Sequence, residues 1–576
     1  MGEKNSEYGH IKKVILVAIP VILIVLGGLF YYHNNFVDDE FNQGSNIKIE
    51  TLDGNEVESL NKLCKVWGNA KYYHPKVIEG NINWDFELFR VMPEVIAAET
   101  QEEVNTILYE WINNFGEFEE GSYSESNEVK IEADTEWIND EEYLGQNLSS
   151  LLVKMSKSYI YDRDNAYVNY KDGSIFSNFD KEELYPVIKY DDDGYKLLSL
   201  FRYWNIIEYY YPYKNIMDED WNEVLNEFIP KMVQCDDELS YKLTLAELTT
   251  RIHDSHAAIY DNAGTLRKYF GENIVPIQFL LVEDKVVVTD IIDKYLDECS
   301  LQVGDVVLEI NGREVFEVIN EKGKYISFSR DEAMANGLNN YLFRTSEDSM
   351  ELTIERDGKE LVEDVKCYDL NEVYKVKEER ESHKILDKNI GYVNLGALAK
   401  DEIHEIMKKF ESTEGMIVDL REYPSDMVTY TMPNYLLPEE TVFSRATIAN
   451  KAKPGEFIFV GDITVGKNNP DYYKGNIVII INERTQSNGE FTAMALRKAP
   501  NATVIGENSI GADGNVANIN LPGGVITTIT GIGIYTPETS ETQRVGIEPD
   551  IYVKPTIQGI RDGKDELLDY AIELIK

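Results

Sequence analysis

The feature that most restricts what this chain can fold into is a duplication. KVWGNAKYYHPKVIEGNINWDFELFRVMPEV, at 65–95, aligns without a gap with RYWNIIEYYYPYKNIMDEDWNEVLNEFIPKM, at 202–232. Trp67, Tyr72, Tyr73, Pro75, Trp84, Leu88 and Pro93 recur 137 positions later as Trp204, Tyr209, Tyr210, Pro212, Trp221, Leu225 and Pro230. Only six tryptophans exist, so two of them returning at one offset means that the same unit is built twice. Each copy reads as an apolar helix stopped by the proline after the tyrosine pair. A second helix then opens at Asn or Asp just before tryptophan. The segment after the second copy, SYKLTLAELTTRIHDSHAAI, carries Ser255-His256 where the first copy has Phe118-Glu119. The scaffold is kept twice and the Ser-His pair once, so the first copy reads as structural.

The chain is too long for one core, and its patterning divides it. Val14 to Tyr32 is uncharged and apolar. At ~1.5 Å per helical residue it reaches about 28 Å, close to the ~30 Å of a bilayer core. Lys12 and Lys13 precede it, Asp38, Asp39 and Glu40 follow, and no A-x-A-like site is present. The expectation is an uncleaved, single-pass membrane anchor at 14–32, with 1–13 cytoplasmic and the rest outside the cell membrane. Residues 33–50 read as a polar linker. Residues 51–190 hold the first helical repeat and an acidic, Tyr-rich region, and 191–272 the second repeat with the Ser-His motif.

From Ile274 the period becomes that of strands. VPIQFLLV, KVVVTDII, LQVGDVVLEINGREV and a hairpin around Asp357-Gly358 mark a small β domain at 273–370. From 385 to 576 strands alternate with helices, which implies a layered α/β domain with a mainly parallel sheet. Acidic residues outnumber basic ones 103 to 56, for a net charge of -47. That excludes nucleic acid as a partner, which needs a basic footprint. Cys64, Cys235, Cys299 and Cys367 form no metal-type pair and read as buried small hydrophobes.

Candidate chemistry centres on VIIINERTQSNGEFTAMAL, a buried strand running into a helix. Ser487 stands at the turn, where the following N–H groups face an oxyanion at a helix N-terminus. The competing role is a helix N-cap, and Thr485 is a weaker nucleophile candidate. A serine needs a base. Of seven histidines, position leaves His253 and His256.

DSHAAI, LQVGDVVLEINGREV, GMIVDLREYPS, VIIINERTQSNGE, VIGENSIGADG and RVGIEPDI occur in this order. The set resembles the C-terminal processing (tail-specific) peptidase family, especially its tricorn-like branch, from about residue 196 onward. LxxGDxxLxINGxxV resembles a PDZ domain. The resemblance implies an α/β multidomain chain: anchor, helical repeats, PDZ-like β domain and a crotonase/ClpP-like layered peptidase core. It implies a serine-type endopeptidase acting on a peptide or protein substrate, with Ser487 as nucleophile, His256 as base and Ser255 beside it, and no metal or cofactor. Ala512 stands where the family's Ser-Lys members carry lysine, so the His-based mechanism fits. The orienting acid falls near Gln543 or Glu541. Asn488 and either Ser425 or Asp426 would supply the oxyanion N–H groups. The rival is a catalytically weak, membrane-tethered peptide-binding protein of the same fold. For the anchor, protease applied to intact cells is expected to digest the chain beyond residue 32; digestion only after lysis would reverse the orientation.

Overall fold

The computed structural model describes residues 38–575 apart from 125–126, 171–173 and 377–379. The expected anchor at 14–32 lies outside the described residues. Among the described residues no helix is long and apolar enough to cross a membrane.

Both copies of the duplication fold as helix pairs, Gly54–Tyr73 with Trp84–Ala97 and Asp193–Tyr210 with Trp221–Val233. The first helix of each pair ends at the tyrosines, and Asn83 and Asp220 cap the second. The tryptophans explain the repeat. Trp67 Nε1 donates to the Trp84 carbonyl and Trp84 Nε1 to the Trp67 carbonyl, both at 3.0 Å. Trp204 and Trp221 repeat the exchange at 2.7 and 3.1 Å. A buried indole N–H left unpaired costs about 1–3 kcal/mol, so each tryptophan needs the other's backbone. The copies also meet at equivalent positions. A Cβ on Gly68 would lie 1.7 Å from Asn205 Oδ1, and the Tyr72 and Tyr209 rings stand 5.2 Å apart. The two units therefore share one hydrophobic core.

Inside that core four charges neutralise one another. Lys71 pairs with Glu182 at 2.8 Å, and Arg202 pairs with Asp85 at 2.6 Å and Glu182 at 2.9 Å. Residues 33–50, read as linker, are docked over part of their length. Ser45 and Ile47 are buried, and Asp192 accepts from the Ser45 N–H. The four cysteines are free, and all but Cys299 are buried.

The β domain has its own core. Its sheet runs Lys359–Lys366, Ser349–Arg356, Val306–Ile310, Lys285–Ile291, Ile277–Val282, which leaves Ile277–Val282 on the edge. The C-terminal domain is built on a six-stranded sheet. His383–Leu386 pairs antiparallel with Ile390–Asn394; Gly415–Asp419, Asn476–Ile481, Ala502–Gly506 and Ile551–Tyr552 follow in parallel. Asn476–Ile481 is central and its last five residues are buried.

A second, three-stranded sheet joins the halves of the molecule. Ile259–Asp261, just after the Ser-His motif, pairs antiparallel with Val525–Thr530, itself hairpinned to Val516–Leu521. This pairing carries the helical unit's His256 to the C-terminal domain.

One buried group makes the fold acid-sensitive. His74 is fully buried, its Nδ1 accepts from the Lys76 N–H at 3.2 Å, and its Nε2 has no partner among the described residues. Burial lowers its pKa from 6.5 to about 4. Folding therefore excludes a proton, and stability present above pH 6.5 falls as pH drops from 6.5 to about 4, by on the order of 3 kcal/mol. Urea unfolding at pH 7 and pH 4.5 should show a smaller acid loss for His74→Asn, which keeps a cap acceptor, than for the unsubstituted chain. Equal losses would place the sensitivity elsewhere.

Candidate active site

The turn between Asn476–Ile481 and the helix Asn488–Leu496 presents Ser487. Its backbone is at φ 52°, ψ −115°, a costly conformation for a residue with a Cβ. Fixed contacts hold it there. The Ser487 N–H donates to the Ala512 carbonyl at 2.9 Å and to Glu490 Oε2 at 3.0 Å. Glu490, fully buried, also accepts from the Gly511 and Ala512 N–H groups and from the Ser509 hydroxyl. Burial raises the pKa of Glu490. The Ser487 hydroxyl makes no capping bond to the helix, so the N-cap role does not consume it. Thr485 is excluded as a nucleophile, because its buried hydroxyl donates to the Leu420 carbonyl at 2.8 Å.

His256 sits at the end of the second helical unit, 9% exposed. Its Nδ1 lies 2.8 Å from Thr530 Oγ1, which is 3.0 Å from Asp254 Oδ1. A carboxylate only accepts, so the Thr530 hydroxyl donates to Asp254 and receives the Nδ1–H of His256. The ring is thereby fixed with its proton on Nδ1, and Nε2 keeps its lone pair. Among the described residues no hydrogen bond engages Nε2. Asp254 is fully buried and also accepts from the His256 N–H at 2.9 Å, the Thr530 N–H at 2.8 Å and Gln543 Nε2 at 3.1 Å. Burial lowers the His256 pKa, and the Asp254 charge opposes that shift.

Several expectations from sequence are corrected here. Gln543 reaches Asp254 rather than the histidine. Glu541 is drawn off by Lys130, 2.9 Å away. The carboxylate linked to the His256 ring is that of Asp254, which sits inside the DSHAAI motif; its place two residues before His256 was the available signal. Thr530 gave no local signal, because strand pairing alone brings it to the histidine. Ser255 stays outside the relay: it exchanges bonds with Ser329, each N–H donating to the other's hydroxyl, at 2.9 and 2.8 Å. Ser425 is removed as an oxyanion donor, since its N–H already donates to the Leu395 carbonyl at 2.9 Å. Asp426 remains, with its carboxylate turned to the Lys400 and Met427 N–H groups. Asn488 Nδ2 lies 3.4 Å from the Asp426 carbonyl, so the two candidate oxyanion residues adjoin.

One strap touches the surroundings of both Ser487 and His256. Ala512 holds Ser487, and two residues on a Cβ at Gly514 would lie 3.0 Å from Thr530 Cγ2. No hydrogen bond engages the Ser487 hydroxyl among the described residues, so the direct Ser–His bond is not made in this conformation. Such bonds commonly tighten only when substrate is bound. Ala512 is fully buried and supplies no base. The arrangement offers a strained hydroxyl, a tautomer-fixed imidazole and helix N-terminal N–H groups, the parts of acyl transfer.

Residues 389–553 match the family described as Peptidase family S41. The nisin-resistance protein of Lactococcus lactis subsp. lactis is 30% identical over 146 residues, 24% of this chain and 45% of that protein. A carboxyl-terminal-processing protease of Synechocystis sp. is 24% identical over 173 residues, 29% of this chain and 38% of that protein. The chain thus spans less than half the length of either curated relative. Mature CPAF complexed with lactacystin superposes with a TM-score of 0.53 at 14% identity, covering 67% of this chain and 98% of that one. At that identity the likeness is one of fold.

The tautomer is testable directly. Imidazole nitrogen NMR at pH 7 should show the His256 proton on Nδ1, with a pKa below the ordinary value of about 6.5. Asp254→Asn removes the charge that opposes the lowering and should depress it further. Thr530→Val should mix the tautomers. An unchanged spectrum in Thr530→Val would break the relay.

Proposed function

We propose that this chain, whose residues 389–553 are a Peptidase family S41 domain, is a serine-type peptidase that cleaves peptide bonds outside the membrane to which residues 14–32 tether it. The observation that carries this reading is the Asp254–Thr530–His256 relay, which leaves a basic Nε2 for a serine held strained at a helix N-terminus.

In the proposed reaction His256 Nε2 takes the proton of Ser487 as its Oγ attacks the peptide carbonyl. The imidazolium is stabilised through Thr530 by the Asp254 charge. The N–H groups of Asn488 and Asp426 receive the oxyanion. His256 then protonates the leaving amine, and water, deprotonated by the same nitrogen, releases the acyl group from Ser487.

The β domain at 273–370 is proposed to act as a PDZ-like module that delivers the peptide. The segment Leu301 to Val315 contributes buried core residues such as Leu301, Val307 and Ile310. Delivery is better supported at the edge strand Ile277–Val282, two of whose residues, Ile277 and Gln278, line a cavity of about 690 Å³ together with Asn336. An extended peptide can add to such an edge.

Ser487→Ala and His256→Ala should each lower kcat/KM on a fluorogenic peptide by roughly 10³-fold or more, and the double variant should be little worse than either. Thr530→Val should cost roughly 10–100-fold, mainly in kcat, since it misorients the base without removing it. Gln543→Ala and Glu541→Ala should cost less. Full activity in His256→Ala would assign the base elsewhere. Peptide binding without any Ser487-dependent turnover would leave the peptide-binding reading.

A further inference from the structure

The main chain around His256 has no regular structure of its own. The helix before it ends at Thr250, and the next strand starts at Ile259. His253 is turned into the left-handed region, at φ 48°. Buried N–H groups in such a stretch need acceptors from elsewhere, because an unpaired one is costly.

Two pairs of hydroxyls, the members of each two residues apart, fix this stretch from two different domains. Thr528 and Thr530 belong to the C-terminal domain. Thr528 Oγ1 accepts from the Ala258 N–H at 3.0 Å and donates to the His256 carbonyl at 2.6 Å, while Thr530 binds Asp254. Ser327 and Ser329 belong to the β domain. The Asp254 N–H donates to Ser327 Oγ at 3.3 Å, and the Ser255 N–H to Ser329 Oγ at 2.9 Å. The Ser329 N–H returns a bond to Ser255 Oγ at 2.8 Å. Ser327, Ser329 and Asp254 are all buried.

The same short segment of the β domain also reaches the residues that hold Ser487. Arg330 Nη1 donates to the Val545 carbonyl at 3.1 Å. Ala333 packs with Ile510 and Ala512 in one small buried cluster. The Ala512 carbonyl accepts from the Ser487 N–H, and the Ile510 N–H donates to the Thr485 carbonyl, each at 2.9 Å. On either side the segment is rooted in the β-domain core, through Ile326 and Leu338. Residues 327–333 therefore touch the backbone that carries the base and the strap that carries the nucleophile.

Resting on the peptidase reading, we infer that Ser327 and Ser329 are positioning residues of the active site, supplied by the β domain, which hold the Asp254–Ser255 main chain so that His256 stands correctly toward Ser487. They act through Asp254 and Ser255 and touch neither substrate nor the imidazole. The bonds need the hydroxyl oxygen rather than a side chain of that size. Alanine therefore removes them with little change of volume, and the base loses its orientation while the substrate cleft keeps its walls.

The test reads the base directly and through turnover. In the full-length chain, Ser329→Ala should lower kcat on a fluorogenic peptide about tenfold and leave KM within about twofold. Imidazole nitrogen NMR, with His256 assigned by His256→Gln, should show its proton no longer confined to Nδ1. Ser327→Ala breaks the longer bond and should change both readouts less, in the same direction; it carries the test if Ser329→Ala does not fold. Thr353→Val removes a buried hydroxyl elsewhere in the β domain, one that donates to Glu309 at 2.9 Å. That variant should lower the urea midpoint without changing kcat or the His256 spectrum. The positioning role is overturned if either readout stays unchanged in both serine variants, or if Thr353→Val reproduces both changes. If the unsubstituted chain turns over no peptide, the peptidase reading fails by itself, and the His256 spectrum alone judges the role of the two serines.

Discussion

The buried carboxylate of Asp254 is the point on which the rest of the arrangement depends. It binds its own motif through the His256 N–H and, across 276 positions of sequence, both the amide and the hydroxyl of Thr530. A bare carboxylate at that depth would be prohibitively costly, so its donors are obligatory. Meeting that requirement docks the helical unit on the C-terminal domain and sets the imidazole tautomer in one stroke. The short strand pairing of Ile259–Asp261 with Val525–Thr530 fixes the register in which this happens.

The duplicated helical units are unequal partners in it. The second carries Asp254 and His256; the first braces it. Tyr73 Oη donates to the Pro454 carbonyl at 2.6 Å, Arg163 Nη2 donates to the Tyr72 carbonyl at 2.9 Å, and the Gly455 N–H donates to the Tyr209 carbonyl at 2.9 Å. Both copies thus grip the 450–456 loop of the C-terminal domain. The reciprocal tryptophan bonds explain why each copy keeps its two tryptophans while the segment beyond them diverged. The former are tied to each other inside one unit, whereas Phe118-Glu119 has no imidazole to present.

The turn that carries Ser487 is held from two sides by different physics. Glu490 secures it from below through a cage of N–H donors, which sustains the strained backbone of Ser487. Arg484 secures it from the side by reaching the edge strand of the β domain. The first contact is fully satisfied and rigid. The second joins the two domains through neutral acceptors, Gln278 Oε1 and the Phe279 carbonyl.

What the sequence determined by itself was local or periodic. The tryptophan spacing specified the repeated helix pair, because each indole needs a backbone carbonyl within its own unit. The apolar run 476–481, a sharp turn and a helix start specified where a nucleophile can project. The Ser487 and His256 candidates followed from residue chemistry and the family resemblance. The tertiary structure decided everything that rests on distant pairing. It placed Asp254, rather than Gln543 or Glu541, beside the His256 ring, set Thr530 between them, and bound Ser255 and the Ser425 N–H to other partners. A hydrogen bond is won or lost over tenths of an ångström, and for residues hundreds of positions apart that distance is set only when strands choose their register and domains close on one core.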